Sequence, residues 1–315
     1  MEYNKAVSDM VVGDLVEGYY ALGNIQLKKS SAGKPYLSCT VFDATGALDA
    51  KLWNYSGQAQ PEDSGKAALL RGEVTEFNGN LQFIIQRIRF ATEKDEYDPA
   101  ALVPAAPIEP EAAMEEVLKL MGSMEDGDYR RLTLTLLEKH REDFMRLPAA
   151  KSVHHAFLYG LLMHTLNMLR AADFLSGLYG EVIHRDLLLA GTALHDLGKL
   201  AEFRLSPLGL VTEYSVPGDL LGHVYMGARE VEAAGRELGI PEEKLTLLAH
   251  LLLSHHGDPE YGAAAVPMCA EAELLSLIDR IDSRMEIYAE ALPQVQPGRF
   301  TLRVPSLEKR VYRID

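Results

Sequence analysis

A chain of 315 residues is long enough for two domains that each bury a core, which excludes a peptide scaffold or a disulfide-stapled miniprotein. Hydrophobic residues at 47% and charged residues at 24% describe a folded protein, not a disordered one. A net charge of −15, from 31 basic and 46 acidic residues, argues against broad adhesion to nucleic acid or anionic lipid and leaves only a local groove for either.

Up to about residue 91 the pattern is strand-like. Leu37, Cys39 and Val41 alternate with Tyr36, Ser38, Thr40 and Phe42; beyond the turn at Asp43–Gly46, Leu48, Ala50 and Leu52 continue an apolar face and Asp49, Lys51 and Trp53 an outer one. Asn78-Gly79 between two such runs is a hairpin signal, because both central residues of a type I′ turn need positive φ. Five strands in so short a span suit a closed OB-like barrel over residues 1–91. Residues 92–113, with four prolines and a cluster of acids, read as a linker.

Residues 114–315 are helical in period, the first helix starting inside the linker's end: Glu111–Met121, Tyr129–Arg146, Val153–Leu178, Arg185–His195, Leu220–Leu238, Glu242–Ser254 and Ala270–Leu292, punctuated by Gly177, Gly180, Gly239-Ile240-Pro241 and Gly257-Asp258-Pro259. The fold class is therefore β + α in two domains, a five-stranded barrel followed by an all-α bundle. The two parts differ in chemistry. Residues 1–95 hold 10 basic and 12 acidic residues, so a charge of −13 falls on the rest, and all ten histidines lie between His140 and His256. No apolar run approaches the ~20 residues of a bilayer span and the N-terminus lacks a signal-peptide profile, so a cytoplasmic address without membrane contact is expected. Cys39 and Cys269, without CxxC spacing, read as reduced, buried thiols.

The most specific feature is a series of side chains that ligate metals: His164, His195-Asp196, His223, His255-His256 and Asp279, at intervals of 31, 28, 32 and 24 residues through successive helices. Their neighbours are apolar, as in Leu187–Leu194 before His195 and Leu274–Ile278 before Asp279, so a buried carboxylate there needs a cation. A single such histidine would read as a core residue; seven in succession do not. Asp282, three residues after Asp279, shares its helix face and stands as an alternative ligand. His140, His184 and His250 match no ligand position.

The order His164, His195-Asp196, Asp279 resembles the H…HD…D signature of the HD-domain metal-dependent phosphohydrolases, and His223 and His255-His256 are placed like the extra histidines that give some of them a second metal. AAKSVHH (Ala149–His155), HDLGK (His195–Lys199), LLGH (Leu220–His223) and SHHG (Ser254–Gly257), behind an OB-like domain, resemble the YhaM family of 3′ to 5′ exoribonucleases over essentially the whole chain. The resemblance implies trimming of single-stranded RNA, or single-stranded DNA, from the 3′ end with a divalent ion: manganese first, with cobalt, iron, zinc or magnesium as substitutes.

Phosphodiester hydrolysis needs a metal-activated hydroxide near neutral pH and relief of charge on the phosphate, which two ions about 3.5–4 Å apart supply. His164, His195, Asp196 and Asp279 are assigned to one ion and His223, His255 and His256 to the second, with Asp196 between them. Lys199, one turn after His195, can place its ammonium on the phosphate, or serve as a helix-end cation. Lys151 and His155 are expected to flank a substrate entrance, and Tyr36, Lys51 and Trp53, with area from Phe77 and Phe83, to face single-stranded nucleic acid on the barrel. Two other readings compete: an HD phosphohydrolase of nucleotides or cyclic nucleotides with a regulatory barrel, and a non-catalytic nucleic-acid or protein adaptor. The chain after His255-His256 continues Gly257-Asp258-Pro259 rather than a GYP-type tripeptide, which disfavours cyclic dinucleotides. A homo-oligomer is compatible with all three.

Overall fold

The computed structural model describes residues 2–30, 33–55, 57, 59–77, 79–92, 94–150 and 157–314. The chain divides into two compact units, residues 1–105 with 205–212 and residues 106–204 with 213–315.

The first unit is built on strands β1 (Glu2–Tyr3), β2 (Leu15–Lys29), β3 (Pro35–Asp43), β4 (Gly46–Trp53), β5 (Ala67–Phe77) and β6 (Asn80–Phe90). β2 pairs antiparallel with β3 on one side and β5 on the other, β3 with β4, and β5 with β6, while β4 and β6 run parallel and complete the circuit. Five strands thus close an OB-like barrel, and the two residues of β1 add to β2 in parallel. Closure explains the alternation in the sequence. Leu37, Cys39 and Val41 of β3 and Ala50 and Leu52 of β4 are buried against Val16, Tyr20, Leu22 and Ile85. Gly79 carries the hairpin turn at φ +80°; its partner in the predicted turn, Asn78, lies outside the described residues.

One barrel assignment needs correction. Phe83 is fully buried in the barrel core, so it adds no area to an outer face. It pairs with Val74 and Ala50, both interior, and a register shift at Arg71/Gly72 changes which residues of β6 face inward, from Phe83 and Ile85 to Ile88.

The second unit contains helices α1 (Pro110–Gly122), α2 (Gly127–Lys139), α3 (Arg141–Arg146), α4 (Gly160–Leu178), α5 (Arg185–Leu194), α6 (Lys199–Glu202), α7 (Val216–Glu237), α8 (Glu242–Ser254) and α9 (Ala270–Ala291). Between α6 and α7 in sequence run β7 (Phe203–Leu205) and β8 (Val211–Tyr214), a two-stranded sheet whose residues 205 and 211–212 fall in the first unit. α5 is the centre of the bundle: every residue from Asp186 to Leu194 is buried, as its nearly unbroken apolar run requires. The helix expected over Tyr129–Arg146 divides at His140, whose φ of −111° and ψ of 14° are not helical. Of the run expected from Val153, residues 153–156 lie outside the described residues and α4 begins at Gly160, behind Tyr159 at φ +64°. Among the described residues no helix is long and apolar enough to cross a membrane. Cys39 is buried but Cys269, just before α9, is only half-buried, against the expectation for both; neither is in a disulfide.

Candidate metal centre

The site is assembled from helix ends. α5 stops at Leu194 and α8 at Ser254, so His195 and His255 occupy their C-caps. The last carbonyls of a helix lack intrahelical partners, and these two histidines satisfy one each: His195 Nδ1 donates to Thr192 O at 2.8 Å and His255 Nδ1 to Leu252 O at 2.7 Å. Each bond fixes the tautomer and leaves Nε2 as a lone-pair donor. The negative ends of two helix dipoles therefore converge where a cation would be favoured.

His223 arrives differently. α7 is kinked at Gly222, whose φ of 71° and ψ of 155° no L-residue adopts readily, and the chain re-enters the helix at His223. The His223 backbone N–H donates to buried Glu202 at 2.9 Å, and its Nδ1 lies 3.0 Å from the same carboxylate. HDLGK makes this approach possible, since Gly198 packs directly against the backbone of His223 and Gly227. On the other side, His164 of α4 holds its Nδ1 2.7 Å from Asp282 Oδ2 on α9.

The outward atoms meet around Asp196. One oxygen, Oδ2, lies 3.2 Å from His195 Nε2 and 3.9 Å from His164 Nε2; the other, Oδ1, lies 3.5 Å from His223 Nε2 and 3.9 Å from His255 Nε2. Asp279 Oδ1 is 3.4 Å from His164 Nε2. Two groups, His164/His195/Asp196 and His223/His255/His256, each bring ligand atoms within 4.8 Å of one another. Ligands bound at about 2.1 Å stand roughly 3–3.5 Å apart, so these separations are close to those around a shared ion. Asp196 Oδ1, His223 Nε2, His255 Nε2 and His256 Nδ1 are buried without a hydrogen-bond partner among the described residues. Buried polar atoms are rarely left so, and the donor set fits a divalent metal.

The electrostatics agree. Burial alone would keep His164 neutral, but the hydrogen bonds to Asp279 and Asp282 outweigh it and push its pKa up to about 9. These carboxylates demand positive charge, which a proton or a metal ion can supply. His255 is held well below its ordinary range by burial and then by His256; His256 is lowered by burial and by His223. Neutral imidazoles are what metal binding needs. Burial opposes charge on Asp196, yet Lys199 and His195 hold it well below the usual carboxylate range.

All seven predicted ligands thus converge. Between the two acids on α9, Asp279 turns toward His164 Nε2 and Asp282 holds the far nitrogen. Lys199 donates to Asp196 Oδ2 at 2.6 Å and to Ala149 O at 2.7 Å. A cavity of about 500 Å³ opens over His164, Asp196, Lys199, His255, His256 and Asp279. Glu202 was not anticipated from sequence; it is the one buried residue of α6, the short helix that begins at the lysine of HDLGK. Lys151 and His155 lie outside the described residues. His140 pairs with Glu230, His184 caps α5, and His250 accepts from Met268 N–H. On the barrel, Tyr36 and Trp53 are cross-strand neighbours with ring centroids 4.8 Å apart, and Lys51 Nζ lies 5.6 Å from the Trp53 ring and 4.8 Å from that of exposed Phe77.

A family model described as the HD domain matches residues 161–284, the stretch from α4 into α9 that carries all seven predicted ligands. Three relatives named 3′-5′ exoribonuclease YhaM align along nearly their whole length. That of Halalkalibacterium halodurans is 37% identical over 306 residues, 96% of this chain and 93% of the relative. Those of Geobacillus sp. (strain WCH70) and Shouchella clausii are each 36% identical, over 98% of this chain and 94% and 96% of their own. At that identity and coverage, this chain, with its OB-like barrel and HD domain, belongs to the YhaM family of 3′-5′ exoribonucleases.

Proposed function

We propose that this protein trims single-stranded RNA from its 3′ end by hydrolysing phosphodiester bonds with two divalent ions, manganese foremost. The observation that carries the reading is the ring of buried nitrogen and oxygen atoms around Asp196 that have no hydrogen-bond partner among the described residues, in a chain whose relatives are named exoribonucleases. His164, His195, Asp196 and Asp279 would hold one ion, and His223, His255 and His256, sharing Asp196, the other. When bound, such ions relieve charge on the phosphate oxygens and lower the pKa of water. The chain's own residues prepare that chemistry. Glu202 and Asp282 orient His223 and His164, the Thr192 and Leu252 carbonyls orient His195 and His255, and Lys199 keeps a cation on the cavity wall beside Asp196. Stacking on Tyr36 and Trp53, with Lys51 beside them, would hold unpaired bases without reading their sequence, which accommodates single-stranded DNA as well. Free thiols accord with a cytoplasmic setting.

The test is purified protein with manganese and a single-stranded RNA labelled at its 5′ end. A ladder that shortens from the 3′ end, abolished by Asp196→Ala in folded protein, is expected. No cleavage by metal-loaded protein, or turnover of free nucleotides with the RNA intact, would overturn the reading.

A further inference from the structure

α9 contributes more than a ligand to the cavity. Beside Asp279 it presents Arg280, Ser283 and Arg284 to the same space. The two arginines are one turn apart, with about 6 Å of rise between them, so their guanidinium groups share one wall. Several other arginines of this acidic unit are paired with acids: Arg141 with Glu111, Arg170 with Glu116, Arg185 with Asp173 and Arg236 with Glu242. Among the described residues, Arg280 and Arg284 have neither an ion pair nor a side-chain hydrogen bond. Lys199, the other cation of the cavity, is committed to Asp196 and the Ala149 carbonyl. Two uncommitted guanidinium groups beside a phosphodiester-hydrolysing centre match the fork geometry with which arginine takes phosphate oxygens in pairs.

We propose that Arg280 and Arg284 bind the phosphate immediately 5′ of the scissile one, and so make the site select a polynucleotide end over an isolated phosphodiester. The inference rests on the 3′ to 5′ reading above, and the direction follows from substrate chemistry. A terminal nucleotide with a free 3′ hydroxyl carries no phosphate beyond the scissile one, so every other phosphate of the strand lies on its 5′ side. A dinucleotide without a 5′ phosphate offers this pair nothing; the same dinucleotide with one does.

The experiment compares the dinucleotides ApA and pApA as substrates of the manganese-loaded protein, with a 5′-labelled RNA assayed in parallel. The expected wild-type preference for pApA is at least tenfold in kcat/KM. In R280Q/R284Q it falls to below threefold, and R280K/R284K keeps part of it. The readout is a ratio within one preparation, so a partly unfolded variant does not mimic it; R280Q alone, at an exposed position, gives the same sign if the double variant fails to fold. With RNA, each arginine removed should also flatten the dependence of log KM on log salt by about 0.7. A wild-type enzyme that shortens RNA yet treats ApA and pApA alike, or a double variant that retains the preference, overturns this assignment. Failure to shorten RNA at all overturns the functional reading instead.

Discussion

Glu202→Gln isolates the support of one half of the proposed metal centre. Glu202 is buried and receives two donors from the same residue, the His223 backbone N–H at 2.9 Å and the ring Nδ1–H at 3.0–3.1 Å. Glutamine keeps the shape but loses the charge, and its amide group must turn a donor toward one of them. A hydrogen bond to a charged group contributes about 1.5–3 kcal/mol. Loss of an outer carboxylate partner of a metal-binding histidine costs roughly 10–100-fold in metal affinity, about 1.4–2.7 kcal/mol. The two scales agree, so the manganese concentration for half-maximal RNA trimming should rise about 10–100-fold, with kcat nearly recovered at saturating metal. At limiting manganese, elemental analysis should find about one ion per chain in the variant where the wild type holds about two. An unchanged half-saturation concentration with a loss confined to kcat would refute the argument, because Glu202 would then act on the reaction and not on the imidazole.

Three further outcomes follow from the packing. A Cβ at position 198 would overlap the His223 carbonyl and stand 2.7 Å from Gly227 N, both backbone, so Gly198→Ala should destabilise by about 3 kcal/mol or more; an unaltered thermal midpoint contradicts this. Trp53→Ala removes a half-exposed ring, which should leave the urea midpoint nearly unchanged while weakening single-stranded RNA binding by roughly 5–150-fold in a filter or anisotropy assay, the range for one lost stack. Burial raises the pKa of Asp126, but Lys244, at 2.6 Å, and the α2 amides it caps bring it below its ordinary 3.8. A carboxylate depressed in the folded state stabilises above the unfolded value and loses that contribution as pH falls through the folded one. The stability gap between wild type and Lys244→Met, measured by urea titration, should therefore be full at about pH 7 and shrink below about pH 4; a gap independent of pH speaks against the pair.

What could be read from sequence was whatever depended on local pattern. Alternation placed Leu37, Cys39, Val41, Ala50 and Leu52 inside a barrel, and the stop at Gly239-Ile240-Pro241 located α8 at Glu242–Ser254. The break at His140 has no glycine or proline to mark it; it is imposed by the pairing of that imidazole with Glu230 and by the packing of α3. Phe83 was misplaced because alternation gives only relative sides of a strand, and a register shift in the pairing of β6 with β5 decides which side is the core. The convergence of the candidate ligands was legible since imidazoles and acids in apolar runs violate the composition of a core. Glu202 and the division of labour between Asp279 and Asp282 were not, because the first depends on the kink at Gly222 that brings His223 to it, and the second on which nitrogen of His164 turns toward each acid of α9.

An acidic chain that handles RNA is a physical puzzle only if charge is treated as a total. With a Debye length of about 8 Å at physiological salt, a phosphate responds to its neighbours and not to the net charge of −15. Many of the acids are already engaged: Glu111, Glu116, Asp173 and Glu242 hold arginines, and Glu202, Asp282, Asp196 and Asp279 lie against imidazoles. Arg280 and Arg284 put on the cavity wall positive charge that no acid among the described residues holds, and Lys51 lies against aromatic rings on the barrel. Such an arrangement gives local attraction without long-range steering. Association with RNA should therefore be slower than the electrostatically guided limit, and its rate should depend on salt less steeply than the affinity does, since few charges act beyond contact distance. Stopped-flow association rates that fall with salt as steeply as the equilibrium constant would show instead that the whole field of the molecule guides the strand.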